Sequence, residues 1–348
     1  MATIKEIAKK AGVSTGTVSN VLNGLATVRE DSRKHVLKAI DELGYQPSLL
    51  GRALRKDQTN MIVMVVPDIT NPFFPRAVRG AEDVAFEHGY RLVLCNSDNN
   101  STKESTYLRE MRTYRPAGLI IVPADLNQGL DQAKAFLKSG AGVVYLDRIP
   151  PKWKGDSVTS DHEAGAYAAT EHLIQLGHER IATITGPLSG TSALARLQGY
   201  RRAMKSARLP IPPTFVLEAE FNKSAGHEKA VQLLQSRTRP TAIFAGNDLI
   251  AIGVLAAVHE AGLECPRDVS IVGFDNLDES DMTQPTLTTV DQFAYQLGAQ
   301  ASQTIVDRMK HKRNAACQVV LSPELRVKQS TSSPAPRKTT AKAANSRR

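Results

Sequence analysis

The sequence predicts an α/β protein in which a small all-helical domain precedes a larger domain of two doubly wound α/β halves. Near the N-terminus, apolar side chains recur at helical spacing in consecutive short stretches. From residue 61 onward, short continuous apolar runs alternate with helical stretches, which is typical of buried parallel sheets. This alternation occurs twice in succession. A chain of 348 residues also has room for more than one domain.

The first two helices are predicted from their end signals. Thr3 is placed to cap a helix, and Glu6, three residues later, completes a capping box. Gly12 supplies the turn, because glycine takes a positive φ at little cost. Ser14 then caps a second helix, which we place over residues 15–22. Two short helices joined by such a turn have the form of a helix-turn-helix unit.

The second helix presents an outward face of small or amide side chains, which can approach base edges in a DNA groove without clashing. Ala8 lets the second helix pack closely, and Val18 fills the small core between the helices. A helical hairpin that merely packs on a neighbour has no need of Ala8, Gly12 and Val18 together, so DNA binding is the favoured interpretation. The residues predicted to contact DNA in this unit are Thr3, Ser14, Thr15, Gly16, Thr17, Ser19, Asn20 and Asn23.

A third helix, predicted over residues 30–43, closes a three-helix core. Its inward side chains are expected to be Val36, Leu37, Ile40 and Leu43. A short basic segment with one apolar face follows at residues 48–56. A helix of this length is marginal alone in water, and Gly51 in its middle costs about 1 kcal/mol more. We therefore expect a flexible basic linker in the free protein and a helix only on DNA.

The net charge of +9 lies entirely at the two ends of the chain. Residues 1–58 carry a net charge of +4, residues 329–348 carry +5, and the charges between them cancel. A basic N-terminal segment (residues 1–58) next to a neutral central region indicates that the N-terminal segment contacts DNA phosphates. The last twenty residues are rich in Ser, Thr, Pro, Ala, Lys and Arg and cannot build a core, so we expect a disordered basic tail at 329–348.

Several protein classes are disfavoured by the sequence. An uninterrupted apolar run long enough to span a membrane is absent, and the N-terminus lacks the apolar core of a secretion signal. Cys95, Cys265 and Cys317 are odd in number and far apart, which favours reduced thiols in the cytoplasm over disulfides or a zinc site. The histidines are scattered, and His162 and His172 are expected at the surface of one helix. We expect no metal and no cofactor.

Four motifs carry a resemblance to a known family. They are Thr-Ile-Lys-Glu-Ile-Ala at 3–8, Ala-Gly-Val-Ser at 11–14, Thr-Val-Ser at 17–19 and Gly-Tyr-Gln-Pro-Ser at 44–48. With them the chain resembles the LacI/GalR family of bacterial transcriptional repressors, and the resemblance continues to about residue 327. It implies a homodimer that places two recognition helices in successive major grooves of a palindromic operator.

The resemblance gives the basic segment a role. In family repressors it is a hinge helix that pairs with the hinge helix of the dimer mate in the minor groove of the operator. On that basis Leu54 is the apolar wedge that unstacks a central base step, and Arg52 and Arg55 are further DNA contacts. The corresponding domain boundaries are 1–46 for the helix-turn-helix domain and 47–60 for the hinge helix and linker.

The α/β domain, placed at residues 61–328, resembles a periplasmic sugar-binding protein of type I, with a ligand cleft between two lobes. Lobe 1 is expected to hold about 61–160 and 292–321, and lobe 2 about 161–290. The predicted strands are 61–66, 91–95, 118–122, 143–146, 180–185, 215–218, 241–245 and 269–273, with a crossover strand near 290. The predicted helices are 75–88, 102–114, 128–139, 162–176, 193–207, 224–236 and 248–261.

Ligands of doubly wound sheets lie beyond the carboxyl ends of the strands, so the residues that follow each strand are the candidates. They combine aromatic rings with amide, carboxylate and guanidinium groups, which suits the C–H faces and the hydroxyls of a sugar. The set resembles the polar shell of ribose-binding proteins. Its members are Asn71, Phe73, Phe74, Asp147, Arg148, Arg196, Phe221, Asn247, Asp275 and Gln292.

The sequence favours a repressor controlled by ribose or a related pentose, and it leaves alternatives open. A hexose or a nucleoside remains possible, because related clefts differ by few side chains. A regulator controlled by a protein partner is disfavoured by the polar cleft. An enzyme on the same scaffold has little support, since neither a dinucleotide-binding glycine motif nor a P-loop is present, and Ser189 does not lie in a nucleophile elbow.

Overall fold

A computed structural model describes residues 2–22, 25, 27–45, 58–126, 129–311, 313 and 315–335. The chain divides into two compact units, Met1–Thr59 and Asn60–Arg348. The first unit holds the helical head. The second unit, which we call the effector domain, holds two six-stranded sheets. The predicted hinge at 47–60 lies mainly outside the described residues, as does the tail from residue 336.

The head contains three helices, α1 (Ile4–Ala11), α2 (Thr15–Leu22) and α3 (Glu30–Glu42). The capping box at the start of α1 is present, since Thr3 N donates to Glu6 Oε2 at 2.7 Å and Glu6 N donates to Thr3 Oγ1 at 3.3 Å. Gly12 ends α1 with a φ of 66°. The three helices bury a common apolar core, which consists of Ile7, Ala8, Val18, Val21, Val36 and Ala39.

One inward residue of the third helix was predicted wrongly. Leu37 is 52% exposed, whereas Ala39, which was not on the predicted list, is buried. The buried positions of α3 are Val36 and Ala39 with half-buried Ile40 and Leu43 beside them. Leu37 directly follows Val36, so it points about 100° away from the buried stripe of a helix with 3.6 residues per turn.

The effector domain begins with lobe 1, whose first sheet contains β1 to β5 and β11. Their bounds are β1 (Met61–Val66), β2 (Arg91–Asn96), β3 (Gly118–Ile121), β4 (Gly142–Leu146), β5 (Asp156–Ser160) and β11 (Gln318–Leu321). The strand order is β11-β5-β4-β3-β1-β2, and all pairs are parallel. The helices of this lobe are α4 (Phe73–Glu87), α5 (Ser101–Thr113), α6 (Gly129–Lys138) and α12 (Ala294–His311).

Lobe 2 repeats the arrangement with β6 to β10 and β12. Their bounds are β6 (Ile181–Thr185), β7 (Val216–Glu218), β8 (Ala242–Ala245), β9 (Ser270–Phe274), β10 (Thr288–Asp291) and β12 (Glu324–Arg326). The order is β12-β10-β9-β8-β6-β7, in which β12 alone is antiparallel to its neighbour. The helices are α7 (His162–Gln175), α8 (Thr191–Ser206), α9 (Lys223–Leu234), α10 (Asp248–Glu260) and α11 (Glu279–Met282).

The chain passes between the lobes three times, after β5, after β10 and after β11. The sequence indicated the first two crossings but not the third, which returns the chain to lobe 2 for β12. The predicted disordered tail therefore begins too early. Ser330 is fully buried, and its hydroxyl donates to Ile271 O at 2.6 Å and accepts from Thr288 N at 2.8 Å. Ser332 N donates to Ser270 Oγ at 3.1 Å, so residues 329–335 pack on lobe 2.

Candidate functional site

The outward surface of α2 carries the candidate DNA contacts of the head. Thr17 N donates to Ser14 Oγ at 3.1 Å, so Ser14 caps the helix. Thr15, Gly16 and Asn20 are exposed on its surface. Thr3 stands at the start of α1 in the capping box, and Thr17 and Ser19 are half-buried. The other predicted DNA contacts, Asn23, Arg52, Leu54 and Arg55, lie outside the described residues.

All ten predicted ligand residues line one cleft between the two lobes. Its inner part is narrow, and it opens into an outer part with a volume of about 280 Å³. Lobe 1 supplies the residues after β1 and β4, which are Asn71, Phe73, Phe74, Asp147 and Arg148. Lobe 2 supplies Arg196, Phe221, Asn247 and Asp275, and Gln292 lies in the crossing after β10. Residues that follow different strands and are far apart in sequence therefore meet at one cleft, as expected for the carboxyl ends of parallel strands.

Asp275 lies at the centre of the polar groups from lobe 2. Gln292 Nε2 donates to its Oδ1 at 2.6 Å, and Arg196 lies 3.5 Å from the same oxygen. Burial raises the pKa of Asp275 and Asp147 adds to the rise, while Arg196, Gln292 and Asn247 lower it, with a net value of about 7. The residue also has a φ of 110°. Such backbone strain persists where surrounding contacts fix the conformation.

Asp147, on the lobe 1 side, has a lowered pKa, whereas the pKa of Asp275 is raised. Burial alone would raise its pKa, but contacts with His162, Arg196 and Arg148 outweigh burial and lower the pKa to about 2. Its Oδ1 lies 3.0 Å from His162 Nε2, and its φ is 64°. The cleft thus holds one carboxyl group that is ionised at neutral pH and a second, Asp275, that titrates near neutrality.

The arginines are held by fixed partners in their own lobes. Arg196 donates to Gly246 O at 2.6 Å, and its guanidinium carbon lies 3.9 Å from the centroid of the Phe274 ring. Arg148 donates to Asn99 Oδ1 at 3.0 Å. These contacts fix both guanidinium groups before any ligand binds, which lowers the entropic cost of binding.

Phe221 forms part of the cleft wall on the lobe 2 side, and Gly186 makes room for it. A Cβ atom at position 186 would overlap the Phe221 ring. The guanidinium carbon of Arg196 lies 5.8 Å from the centroid of the same ring. On the lobe 1 side, Phe73 and Phe74 meet edge to face with centroids 5.1 Å apart. Apolar rings from both lobes therefore flank the polar groups.

Two residues at the cleft were missed by sequence reasoning. Ser192, at the start of α8, lines the cleft but follows a loop rather than a strand. His162 was predicted to lie at the surface and is only 5% exposed, directly behind Asp147 and Arg196. Its place immediately after a lobe crossing was the signal that could have identified it. His172 was also predicted at the surface, but it is half-buried and lies 3.0 Å from Thr331 Oγ1.

We expect the stability of the effector domain to depend on the proton held by Asp275. Its pKa near 7 exceeds the ordinary aspartate value of 3.8, so the folded state binds the proton more tightly than the unfolded state. Its contribution to stability is present in full below the unfolded pKa and is lost as the pH rises toward 7. Between about pH 5 and about pH 8, wild type should lose stability relative to Asp275→Asn, at up to about 1.4 kcal/mol per pH unit.

Denaturant unfolding of both proteins at the two pH values measures this difference. Burial lowers the pKa values of His172 and His178, but both residues are present in both proteins, so their contributions cancel in the comparison. An identical pH dependence of the two proteins would show that Asp275 does not hold the proton.

Within the described residues, no group of three or more His, Cys, Asp or Glu side chains is placed to hold a metal ion. In the same part of the chain, none of the helices combines the length and the apolar character that crossing a membrane requires.

Known families match both units of the chain. A model of bacterial regulatory proteins of the lacI family matches residues 3–48, and a periplasmic binding protein-like domain matches residues 170–331. The HTH-type transcriptional repressor PurR of Photobacterium profundum is 36% identical over 330 residues, which cover 95% of this chain and 98% of that protein. The chain belongs to the LacI family of bacterial transcriptional repressors. PurR of Haemophilus influenzae (strain PittEE) is 38% identical and covers 96% and 99% of the two chains.

Solved structures of transcriptional regulators share the fold. The Lac repressor dimer bound to operator and the anti-inducer ONPF has a TM-score of 0.86, at 27% identity, and covers 95% of this chain and 99% of that one. A LacI family regulator from Enterococcus faecium with bound ribose has a TM-score of 0.71, at 31% identity, over 78% and 99%. The complex of the regulator CelR with cellobiose has a TM-score of 0.73, at 29% identity, over 95% and 100%.

These comparisons confirm the predicted fold class, a helix-turn-helix head followed by two α/β lobes of periplasmic-binding-protein type. They also confirm that this LacI-family protein is a DNA-binding repressor controlled by a small effector and not an enzyme. The predicted resemblance to ribose repressors in particular is not matched by the two relatives above, which carry the name PurR.

Proposed function

We propose that this repressor binds a palindromic operator as a homodimer in the bacterial cytoplasm, and that ribose held between its lobes controls its affinity for DNA. The observation that carries the proposal is the convergence of all ten predicted ligand residues on one cleft. A LacI family regulator from Enterococcus faecium, 31% identical to this chain, holds ribose in its structure. The Lac repressor structure is a dimer on operator DNA.

The chemistry of the cleft suits a small polyhydroxylated ring. Each sugar hydroxyl can donate one hydrogen bond and accept others, and the cleft offers both kinds of partner. Asp147 supplies an ionised acceptor, and Arg148 and Arg196 supply donors. Gln292 Oε1 is buried and has no hydrogen-bond partner among the described residues. A ligand hydroxyl that donates to this oxygen would remove the cost of leaving it unpaired.

The charges of the cleft disfavour a phosphorylated sugar. Its lining contains four carboxylate side chains, Asp68, Asp147, Glu220 and Asp275, against the two guanidinium groups of Arg148 and Arg196. Arg148 also lies within the field of Glu220. A phosphate group needs an excess of cationic or backbone N–H donors, so the free sugar is the better fit.

A nucleoside is the second candidate. The two curated relatives described above are named PurR and not for a sugar, and the cleft continues outward beyond the polar groups that surround Asp275. The outer part is lined by Pro123, Leu126 and Pro187 together with Asn222. This room would take a group attached to the ribose ring, such as a base.

Calorimetry of the full-length protein with ribose, ribose 5-phosphate, glucose, adenosine and a free nucleobase tests the proposal. We expect ribose to bind and ribose 5-phosphate to bind at least about tenfold more weakly, because the phosphate meets an excess of carboxylates. Adenosine that binds where ribose does not would establish the second candidate. Binding of none of the five would favour control by a protein partner.

The DNA half of the proposal needs a separate measurement. Selection from a library of random duplexes should enrich inverted repeats, because a symmetric dimer presents two equivalent heads. Affinity for the selected duplex should fall steeply with salt as phosphate contacts are screened. The same duplex, titrated with and without ribose, then shows whether the sugar releases or promotes binding. Absence of any inverted-repeat preference in both conditions would refute the proposal.

A further inference from the structure

His162 occupies a position that the ligand set does not account for. It is the first residue of α7, directly after the chain leaves β5 of lobe 1 and enters lobe 2. Its side chain is 5% exposed. It does not line the ligand cleft but borders a second, shallower cavity on the far side of Asp147, together with Thr159, Asp161 and Thr191. The histidine therefore stands behind the ligand residues, at a crossing between the lobes.

The two ring nitrogens of His162 face ligand residues from different lobes. Nε2 lies 3.0 Å from Asp147 Oδ1, at the end of β4 in lobe 1. Nδ1 lies 3.4 Å from an Nη atom of Arg196, on α8 in lobe 2. One flank of the ring faces Phe274, with ring centroids 6.1 Å apart. The imidazole is thus enclosed by a carboxylate, a guanidinium group and an aromatic ring.

The partners fix the tautomer. A guanidinium group can only donate hydrogen bonds, so Nδ1 must be the nitrogen that carries no proton. The carboxylate of Asp147 can only accept, so Nε2 must carry the proton. The neutral Nε2–H tautomer lets Nδ1 accept from Arg196 and places an N–H group 3.0 Å from Asp147 Oδ1, although these last two atoms do not meet hydrogen-bond geometry. The imidazolium form would instead turn an N–H of Nδ1 toward the cation of Arg196.

We propose that His162 is a positioning residue that couples Asp147 of lobe 1 to Arg196 of lobe 2, so that a ligand meets both groups in a fixed arrangement. The inference rests on the proposed binding of ribose in this cleft. Asp147 and Arg196 lie on separate lobes and both line the cleft. Because His162 contacts both Asp147 and Arg196, it fixes the positions of these two side chains relative to each other. It does so without contacting the ligand itself.

Binding of ribose to His162→Leu and His162→Gln tests the coupling. Leucine removes both nitrogens while filling much of the space, and we expect it to weaken ribose binding by at least about tenfold. Glutamine restores an N–H group that can reach Asp147, and we expect binding within about threefold of wild type. The matched control is His172→Leu, which makes the same change on the same helix away from the cleft and should bind ribose as wild type does.

Nitrogen-15 NMR of the imidazole rings in the full-length protein reports the tautomer of His162. A residue that only filled space would not need one particular tautomer. The signals of His162 are identified by their loss in His162→Gln. We expect the pattern of the neutral Nε2–H tautomer, and its loss when Arg196 is replaced by leucine. The Nδ1–H tautomer in the wild type would overturn the inference, as would ribose binding by His162→Leu equal to that of the wild type.

The outcomes separate this inference from the proposed function. If the wild type binds none of the sugars, the proposed effector is wrong, and the tautomer pattern still tests the geometry around His162. If the wild type binds ribose and His162→Leu binds it equally well, the effector is right and the positioning role is wrong. Denaturation of each ligand-free variant shows whether a weaker affinity reflects loss of folding, and restoration by glutamine then distinguishes hydrogen bonding from volume.

Discussion

Replacing Asp275 with alanine is expected to weaken effector binding strongly while operator binding persists. The carboxyl group is 4% exposed, accepts a hydrogen bond from Gln292 and lies 3.5 Å from Arg196. Under the proposed function, its removal takes away a partner for a ligand hydroxyl, and it leaves Gln292 Nε2 and a buried guanidinium group without that oxygen. A hydrogen bond that involves a charged group contributes about 1.5–3 kcal/mol, so the loss of the proposed contact with the ligand predicts an affinity at least about tenfold lower.

Calorimetry with ribose and fluorescence anisotropy with the selected duplex measure the two activities of Asp275→Ala. Asp131→Ala is a matched control, because that carboxylate is exposed on α6 and, among the described residues, pairs with Lys134 at the surface. Asp275→Asn retains the side-chain shape and tests whether the negative charge is needed. A variant at position 275 that still responds to ribose at wild-type concentrations would show that this carboxyl group does not contact the effector.

The convergence of the ten candidate ligand residues on one cleft could be predicted from the sequence, because one topological rule fixes where the residues that follow parallel strands gather. Asp147 follows β4 and Asp275 follows β9, and the carboxyl ends of parallel strands meet the cleft in both lobes. The strands themselves were readable as continuous apolar runs, since both faces of these sheets are covered by helices. Strand topology predicted that these residues line the cleft, but it could not predict the distances between their side chains.

The structure departs from the prediction where burial depends on long-range partners. β5 has the sequence Asp-Ser-Val-Thr-Ser, which does not read as a buried strand. It is buried because Arg308 donates to both oxygens of Asp156, at 2.7 and 2.9 Å, and Cys317 N donates to Oδ1 at 2.7 Å. These partners are about 150 residues away in sequence. A buried charge of this kind is tolerated only when it is paired, and local pattern cannot reveal the pair.

His162 and Ser330 illustrate the same limit. Each is a polar residue in a segment that, by composition, belongs at the surface, and each is buried because several backbone or side-chain partners meet it. Leu37 is the converse case, an apolar residue that points away from the buried stripe of α3 and stays exposed. Amphipathic spacing predicts which stripe of a helix faces inward, but the width of that stripe depends on how large the neighbouring core is.

Replacing Val18 with aspartate is expected to eliminate operator binding and to leave effector binding unchanged. Val18 is fully buried in the core of the head, among Ile7, Val21 and Val36. An unpaired carboxylate in that core costs several kcal/mol, whereas a domain of this size is stabilised by only about 3–5 kcal/mol. The head should therefore unfold. The effector domain is a separate compact unit with its own cores, so its ribose affinity should stay within about twofold of wild type.

Leu37→Asp is the matched control, since it makes the same change from an apolar side chain to a carboxylate at a position of α3 that is 52% exposed. NMR amide signals of the head report its folding in each variant, and anisotropy and calorimetry report the two binding activities. Val18→Asp should lose the dispersed head signals together with DNA binding, while Leu37→Asp should keep the signals. If Leu37→Asp also unfolded the head, the inward stripe of α3 would run through Leu37, as the sequence alone suggested, and not through Ala39.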